Sequence, residues 1–155
     1  MITDRFGALL EELGQAMKLK LAPDSHNACR IRFPDKLAVH LSPDKVGEYL
    51  NIVIEIGNPG EGKYKENVFR EALRANGLPG QRNGIFCYGP KKDILLLYDT
   101  ITFEDVHGQR LFDIIQTLCQ KAREWKDALS RGEIPPYRSG AAGVERSPGN
   151  IFGIR

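Results

Sequence analysis

The chain has 155 residues and a mass of 17.4 kDa, with 41% hydrophobic and 27% charged residues, which suits one soluble globular domain with a proper core. Its formal net charge of +2 is small and evenly spread, which argues against a nucleic-acid partner, because that would require a concentrated basic face. No apolar run reaches the roughly 18 residues of a membrane span, so no membrane insertion is expected, and the chain enters an amphipathic pattern directly from Met1, so no secretory leader is expected. Cys29, Cys87 and Cys119 are far apart and set among apolar neighbours, so they read as buried thiols of a cytoplasmic protein, with neither disulfide nor metal spacing.

A first helix is expected from an N-cap at Thr3, with Phe6, Leu9, Leu10, Leu13 and Met17 on one face. Turn chemistry at Pro23 to Asn27 ends it. Three strands follow, at 28–33, 37–41 and 49–56, each with period-two alternation. A Gly/Pro-rich loop, 57–62, leads to a second helix from about Lys63 to Asn76, with Tyr64, Val68, Ala72 and Leu73 as its inner stripe and Phe69 beside them. Gly77 is placed to take a left-handed C′ position, with Leu78 folding back and Pro79 blocking continuation. After a turn at 81–84, two strands at 85–88 and 94–100 form a hairpin around Gly89 to Asp93. The last helix is expected to open on a Thr102–Asp105 capping box and to repeat Leu111, Ile114, Ile115, Leu118, Ala122, Trp125 and Leu129 until Gly132 closes it. Residues 1–132 form the domain, and 133–155 read as a Pro/Gly-rich tail without periodicity.

Little in the chain points to catalysis. Gly57-Asn58-Pro59-Gly60-Glu61-Gly62-Lys63 satisfies the G-x-x-x-x-G-K pattern between a strand and a helix, and so offers a nucleotide-binding alternative. Against it, Tyr64 replaces the expected Ser or Thr, Glu61 puts a negative charge into the phosphate cradle, and short inter-strand turns give antiparallel hairpins. His26, His40 and His107 have no metal spacing, although His40 could approach Cys29 across neighbouring strands. Glu11, Glu12, Glu66 and Glu71 fall on outer helix faces as solvated charges. The expectation is a protein with no catalytic residues, no metal and no cofactor.

The apolar residues exceed what one core needs. Ile94, Leu96 and Tyr98 oppose Leu95 and Leu97 on a single strand, and Ile85 and Cys87 oppose Phe86 and Tyr88 on another. A sheet covered on one side needs only one apolar face, so the second face is expected to meet another copy of the chain; the alternative is cover by the last helix or the tail.

Several strings resemble the class I type III secretion chaperones of Gram-negative bacteria. They are Phe6-Gly7-Ala8-Leu9-Leu10-Glu11-Glu12-Leu13-Gly14, Asn27-Ala28-Cys29-Arg30-Ile31-Arg32-Phe33, Leu73-Arg74-Ala75-Asn76-Gly77-Leu78, the Asn83-Gly84 approach to the fourth strand, and Ala122-Arg123-Glu124-Trp125-Lys126-Asp127-Ala128-Leu129. The resemblance spans about residues 3–130. It implies an α+β fold, a twisted antiparallel five-stranded sheet with three helices in the order α-β-β-β-α-β-β-α. It also implies a homodimer through the second helix and fourth strand, here Val68, Phe69, Ala72, Ile85, Phe86, Cys87 and Tyr88. The implied activity is to hold the non-globular N-terminal stretch of a secreted effector in the bacterial cytoplasm, by apolar grooves and strand addition. Leu10, Ile31, Phe33, Leu37, Val39 and Leu41 are the residues expected to contact that partner, their alternative role being interior. Within the same fold, a regulatory member that contacts a secretion-apparatus protein is the other alternative. Three features depart from the family: the mildly basic charge, the loop at 57–62, and the tail with its Ile151, Phe152 and Ile154.

Overall fold

The computed structural model describes residues 2–78 and 84–135; Pro79, the turn at 81–83 and the tail from 136 onward lie outside the described residues. Its elements are α1 (Ile2–Met17), β1 (Cys29–Arg32), β2 (Ala38–Pro43), β3 (Tyr49–Gly57), α2 (Lys63–Asn76), β4 (Ile85–Gly89), β5 (Ile94–Thr102) and α3 (Gly108–Ser130). The expected α+β order is therefore observed. The strands form one sheet in the spatial order β1-β2-β3-β5-β4, and every pairing is antiparallel.

Register follows from the alternation. Pairs such as Leu41↔Ile52 and Ile54↔Leu97 put the large aliphatics on one face, where Leu50, Ile52, Ile54, Leu95 and Leu97 are buried. α1 and α3 pack against each other, and α3 packs on β3. Together they bury Phe6, Leu10, Leu13, Leu111, Ile115, Leu118 and Trp125 in one cluster with the inner sheet face. Trp125 stacks on Phe86 with ring centroids 4.0 Å apart. α2 leans on the β4 edge through buried Val68 and Ala72, and the Asn76 amide exchanges two hydrogen bonds with the backbone of Phe86 at 2.8 and 3.0 Å.

α1 ends in a Schellman motif: Leu19 N–H donates to Gly14 O at 2.8 Å, Lys18 N–H donates to Gln15 O at 3.4 Å, and Lys18 takes φ 58. The motif brings the Leu19 carbonyl to 2.5 Å from where a Cβ on residue 14 would sit, which is why that position is glycine. α3 ends the same way, with Gly132 at φ 67 and Glu133 N–H donating to Ala128 O at 2.9 Å. Gly132 thus closes α3 as expected.

Several local expectations are corrected. Thr3 is already helical. Thr102 Oγ1 does bond Asp105 at 2.8 Å, but Thr102 is held in β5 by pairing with Tyr49, so the helix starts later, capped by His107 Nδ1 on Arg110 N–H. Gly77 is right-handed (φ −86), because its N–H is satisfied by the carbonyls of Leu73 and Arg74 without a left-handed turn. Leu73 points outward and is 72% exposed. Cys29 and Cys119 are buried, whereas Cys87 is only half-buried, because it faces away from the helices. Glu12 is no bystander: its Oε2 accepts the Gly108 N–H at 2.8 Å and ties α1 to the start of α3.

Candidate protein-binding surfaces

The glycine-rich loop has no nucleotide architecture around it. β3 is antiparallel to both neighbours, and Lys63 Nζ turns to Glu66 of its own helix at 3.4 Å instead of facing the loop. Tyr64 donates its hydroxyl to Glu133 O at 2.8 Å. The loop joins strand to helix, and Tyr64 fastens the start of α2 to the segment just past α3. His40 and Cys29 do not meet either. In the β1–β2 ladder Cys29 pairs with Leu41 and Arg30 with His40, so the thiol lies on the inner face and the imidazole on the outer. Burial pushes the Cys119 thiol up to about 11 and raises that of Cys29, so both are inert as nucleophiles. No group of three or more His, Cys, Asp or Glu side chains among the described residues can hold a metal ion.

Of the six residues expected to contact a partner, Leu10, Ile31, Leu37, Val39 and Leu41 sit inside the core, each no more than 3% exposed. Strand alternation turns Ile31, Val39 and Leu41 toward the helices, Leu10 joins them from α1 and Leu37 from the turn before β2, and interior packing already accounts for their apolar character. Phe33 alone is accessible, because it falls just beyond β1 where the chain turns at Lys36 (φ 69). It opens on a groove of about 370 Å³ between the end of α1 and the middle of α3, with Met17, Leu19, Phe112, Ile115 and Cys119 as its apolar lining. Arg123 covers the Phe33 ring at 5.1 Å and binds Asp35 at 2.7 Å, and this guanidinium holds the Asp35 carboxyl below the usual carboxylate range. Leu19 (50% exposed) and Phe112 were not singled out by periodicity, since one lies past the helix end and the other off the buried stripe.

The residues expected at a dimer contact split by face. Val68, Ala72 and Phe86 are interior, whereas Ile85 (39% exposed), Tyr88 (48%), Cys87 and Phe69 reach the surface, with Leu73 beside them. This seam is braced from within the protomer. Lys65 Nζ binds Asp93 at 2.7 Å and lies 5.7 Å from the centroids of both Phe69 and Tyr88; Phe69 and Tyr88 meet edge-on, and the Tyr88 hydroxyl donates to Asp93. The bond from Lys65, then that from Tyr88, lowers the Asp93 carboxyl, and the same Asp93 raises Lys65 and Tyr88. On the outward face of the sheet Tyr98, Leu96, Ile94 and Val53 stay half-buried, opposite the face that α3 covers. The described part of the last helix therefore does not cover the second apolar face.

The sequence profile of the Tir chaperone protein (CesT) family matches residues 8–126. No curated protein matches the chain. Among solved structures, the type III secretion chaperone SycH of Yersinia pestis, in complex with a fragment of YscM2, is similar with a TM-score of 0.61 at 21% identity, over 76% of this chain and 97% of that one. SchA, from the HopA1-SchA chaperone-effector complex, gives 0.65 at 20% identity over 80% and 94%. The ExoT-SpcS complex of Pseudomonas aeruginosa gives 0.58 at 16% identity over 77% and 96%. Likeness at such identities speaks for the fold; the profile, matched over most of the domain and every one of its strands, speaks for kinship. The chain belongs to the Tir chaperone protein (CesT) family.

Proposed function

We propose that this chain is a chaperone that holds the N-terminal non-globular region of one or more type III secretion effectors, keeping it competent for secretion in the bacterial cytoplasm. The observation that carries this reading is a family fold whose monomer leaves two apolar surfaces open: the groove at Phe33 and Phe112, and the seam along α2 and β4. SchA is described as the chaperone in its complex with an effector, and SycH as a type III secretion chaperone. The groove would take apolar side chains of an extended client, and the seam (Phe69, Leu73, Ile85, Cys87 and Tyr88) would pair two copies into a homodimer. No helix among the described residues is long and apolar enough to cross a membrane. Binding alone, without chemistry on the client, is sufficient for this role.

The test is affinity capture from the native host with tagged wild-type chain and a Phe33→Asp, Phe112→Asp variant. The wild type should bring down a secreted substrate bound through its N-terminal segment, and the variant should lose it while remaining folded. Capture of no secreted substrate, or equal capture by the variant, would sink the reading. Light scattering should give about twice 17.4 kDa. Cys87 should react with a thiol reagent faster in an Ile85→Asp, Tyr88→Asp variant than in the wild type.

A further inference from the structure

The outward sheet face carries a second concavity, separate from the groove and bordering the α2–β4 seam where Cys87 pairs with Leu96. It has a volume of about 440 Å³. Val53, Ile94 and Leu96 make its apolar floor, and His40, Glu55, Lys91 and Lys92 stand around it. Its charges are one-sided. Glu55 is the sole carboxylate of the lining, and it is shared by Lys92 at 3.1 Å, Arg30 at 3.8 Å and His40 Nε2 at 3.9 Å. Lys91 has no ion-pair partner among the described residues, and His40 Nε2 is a buried nitrogen with no hydrogen-bond partner among them.

We propose that this concavity is a docking site for an acidic, apolar-bearing segment of a partner protein, with an aliphatic or aromatic side chain on Val53, Ile94 and Leu96 and its flanking carboxylates on Lys91, Lys92 and Arg30. Charge decides between this occupant and the two others at hand. The chain's own segment from 136 onward carries Arg138, Arg146 and Arg155 against Glu145 alone, so it brings cations to a cationic rim. A second copy laid symmetrically on the concavity would set Lys91, Lys92 and Arg30 against their own images, a like-charge contact that disfavours self-pairing. An acidic segment meets unspent positive charge and leaves the Lys92–Glu55 pair intact. Its attraction should weaken with salt, as for any contact between exposed charges.

The test is an NMR titration of the full, isotopically labelled chain with two short synthetic peptides, one alternating leucine with glutamate and one alternating leucine with lysine. The glutamate peptide should shift the amides of His40, Val53, Glu55, Lys91 and Leu96, and the lysine peptide should not. A Lys91→Glu, Lys92→Glu variant, checked as folded by its own spectrum, should bind the glutamate peptide about tenfold more weakly. Ile94→Ser should weaken it as well. Equal response to both peptides, shifts confined to the Phe33 groove or to α2, or undiminished binding by the double variant would overturn the proposal. So would concentration-dependent shifts of these same amides without peptide, which would assign the face to a second copy.

Discussion

Replacing Gly108 by alanine should loosen the joint between α1 and α3. A Cβ at this position would stand 2.5 Å from Glu12 Cβ, 2.7 Å from Glu12 C and 2.9 Å from Glu12 O, and two of those atoms are backbone that cannot rotate away. In an open helix, glycine to alanine gains about 1 kcal/mol. Here overpacking costs about 1–3 kcal/mol. Separating the helices also stretches the 2.8 Å bond from Gly108 N–H to the Glu12 carboxylate, a charged hydrogen bond worth about 1.5–3 kcal/mol. The balance is a loss of roughly 2–4 kcal/mol. Gly7, on the same α1, is the internal control, because nothing lies within 4 Å of its Cβ position. Gly7→Ala should stabilise by about 0.5–1 kcal/mol. Urea unfolding of both variants at one fixed protein concentration reads the two signs, the fixed concentration removing any mass-action contribution from self-association. A Gly108→Ala protein as stable as the wild type would refute the claim that α1 is seated on this glycine.

Lys18→Gly relieves a left-handed lysine at the C′ of α1 (φ 58) and should raise the unfolding midpoint, by about 0.5–1 kcal/mol in stability; a fall would mean the lysine stem packs more than its backbone strains. Asn76→Ala removes both bonds to Phe86 and should cost about 1–3 kcal/mol, with faster hydrogen exchange at the Phe86 amide as the local readout. The Lys65–Asp93 pair sets a pH window. Asp93 is lowered from 3.8, so its contribution is present above that value and lost as pH falls through the lower folded value. Lys65 is raised from 10.5, so its contribution is present below 10.5 and lost as pH rises through the higher folded value. Asp93→Asn should therefore be less stable than wild type at pH 7 and indistinguishable from it near pH 2; a gap that persists in acid would assign the effect to packing.

The strands were legible because period-two alternation is a direct imprint of a sheet with one covered face: Leu50, Ile52, Ile54 and Ile56 follow it without a break. Element ends were less legible where a tertiary contact set them. Thr102 looks like a helix cap in sequence and is a strand residue in space, since pairing with Tyr49 outweighs the local capping geometry. The proposed partner surface is the least legible part, and for a physical reason. Alternation distinguishes the two faces of a strand but cannot say which one the helices cover, so Ile31, Leu37, Val39 and Leu41 carry the same signature inside the core as they would on a groove, and helical periodicity leaves the same choice open for Leu10. Leu19 and Phe112 became visible only when the Schellman turn brought the α1 exit next to α3. Of the residues expected at a dimer contact, Val68, Ala72 and Phe86 are spent on the core, and the surface members come from both faces of β4: Ile85 and Cys87 face away from Trp125, while Tyr88 shares the side of Phe86 and meets Phe69.

The Asn76 amide has a further effect through its two bonds to Phe86. β4 is an outermost strand of the sheet, and the amide occupies a donor and an acceptor that an incoming strand would otherwise take. The opposite outermost strand, β1, is only four residues long and carries Arg30 and Arg32. One rim is thus plugged by a side chain and the other is short and charged, so both disfavour extension of the sheet from one copy of this chain to the next. The proposed association along α2 and β4 would then rest on side-chain packing, which closes on itself after two copies, and the open apolar surface would be kept from the edge-to-edge pairing that leads to fibres.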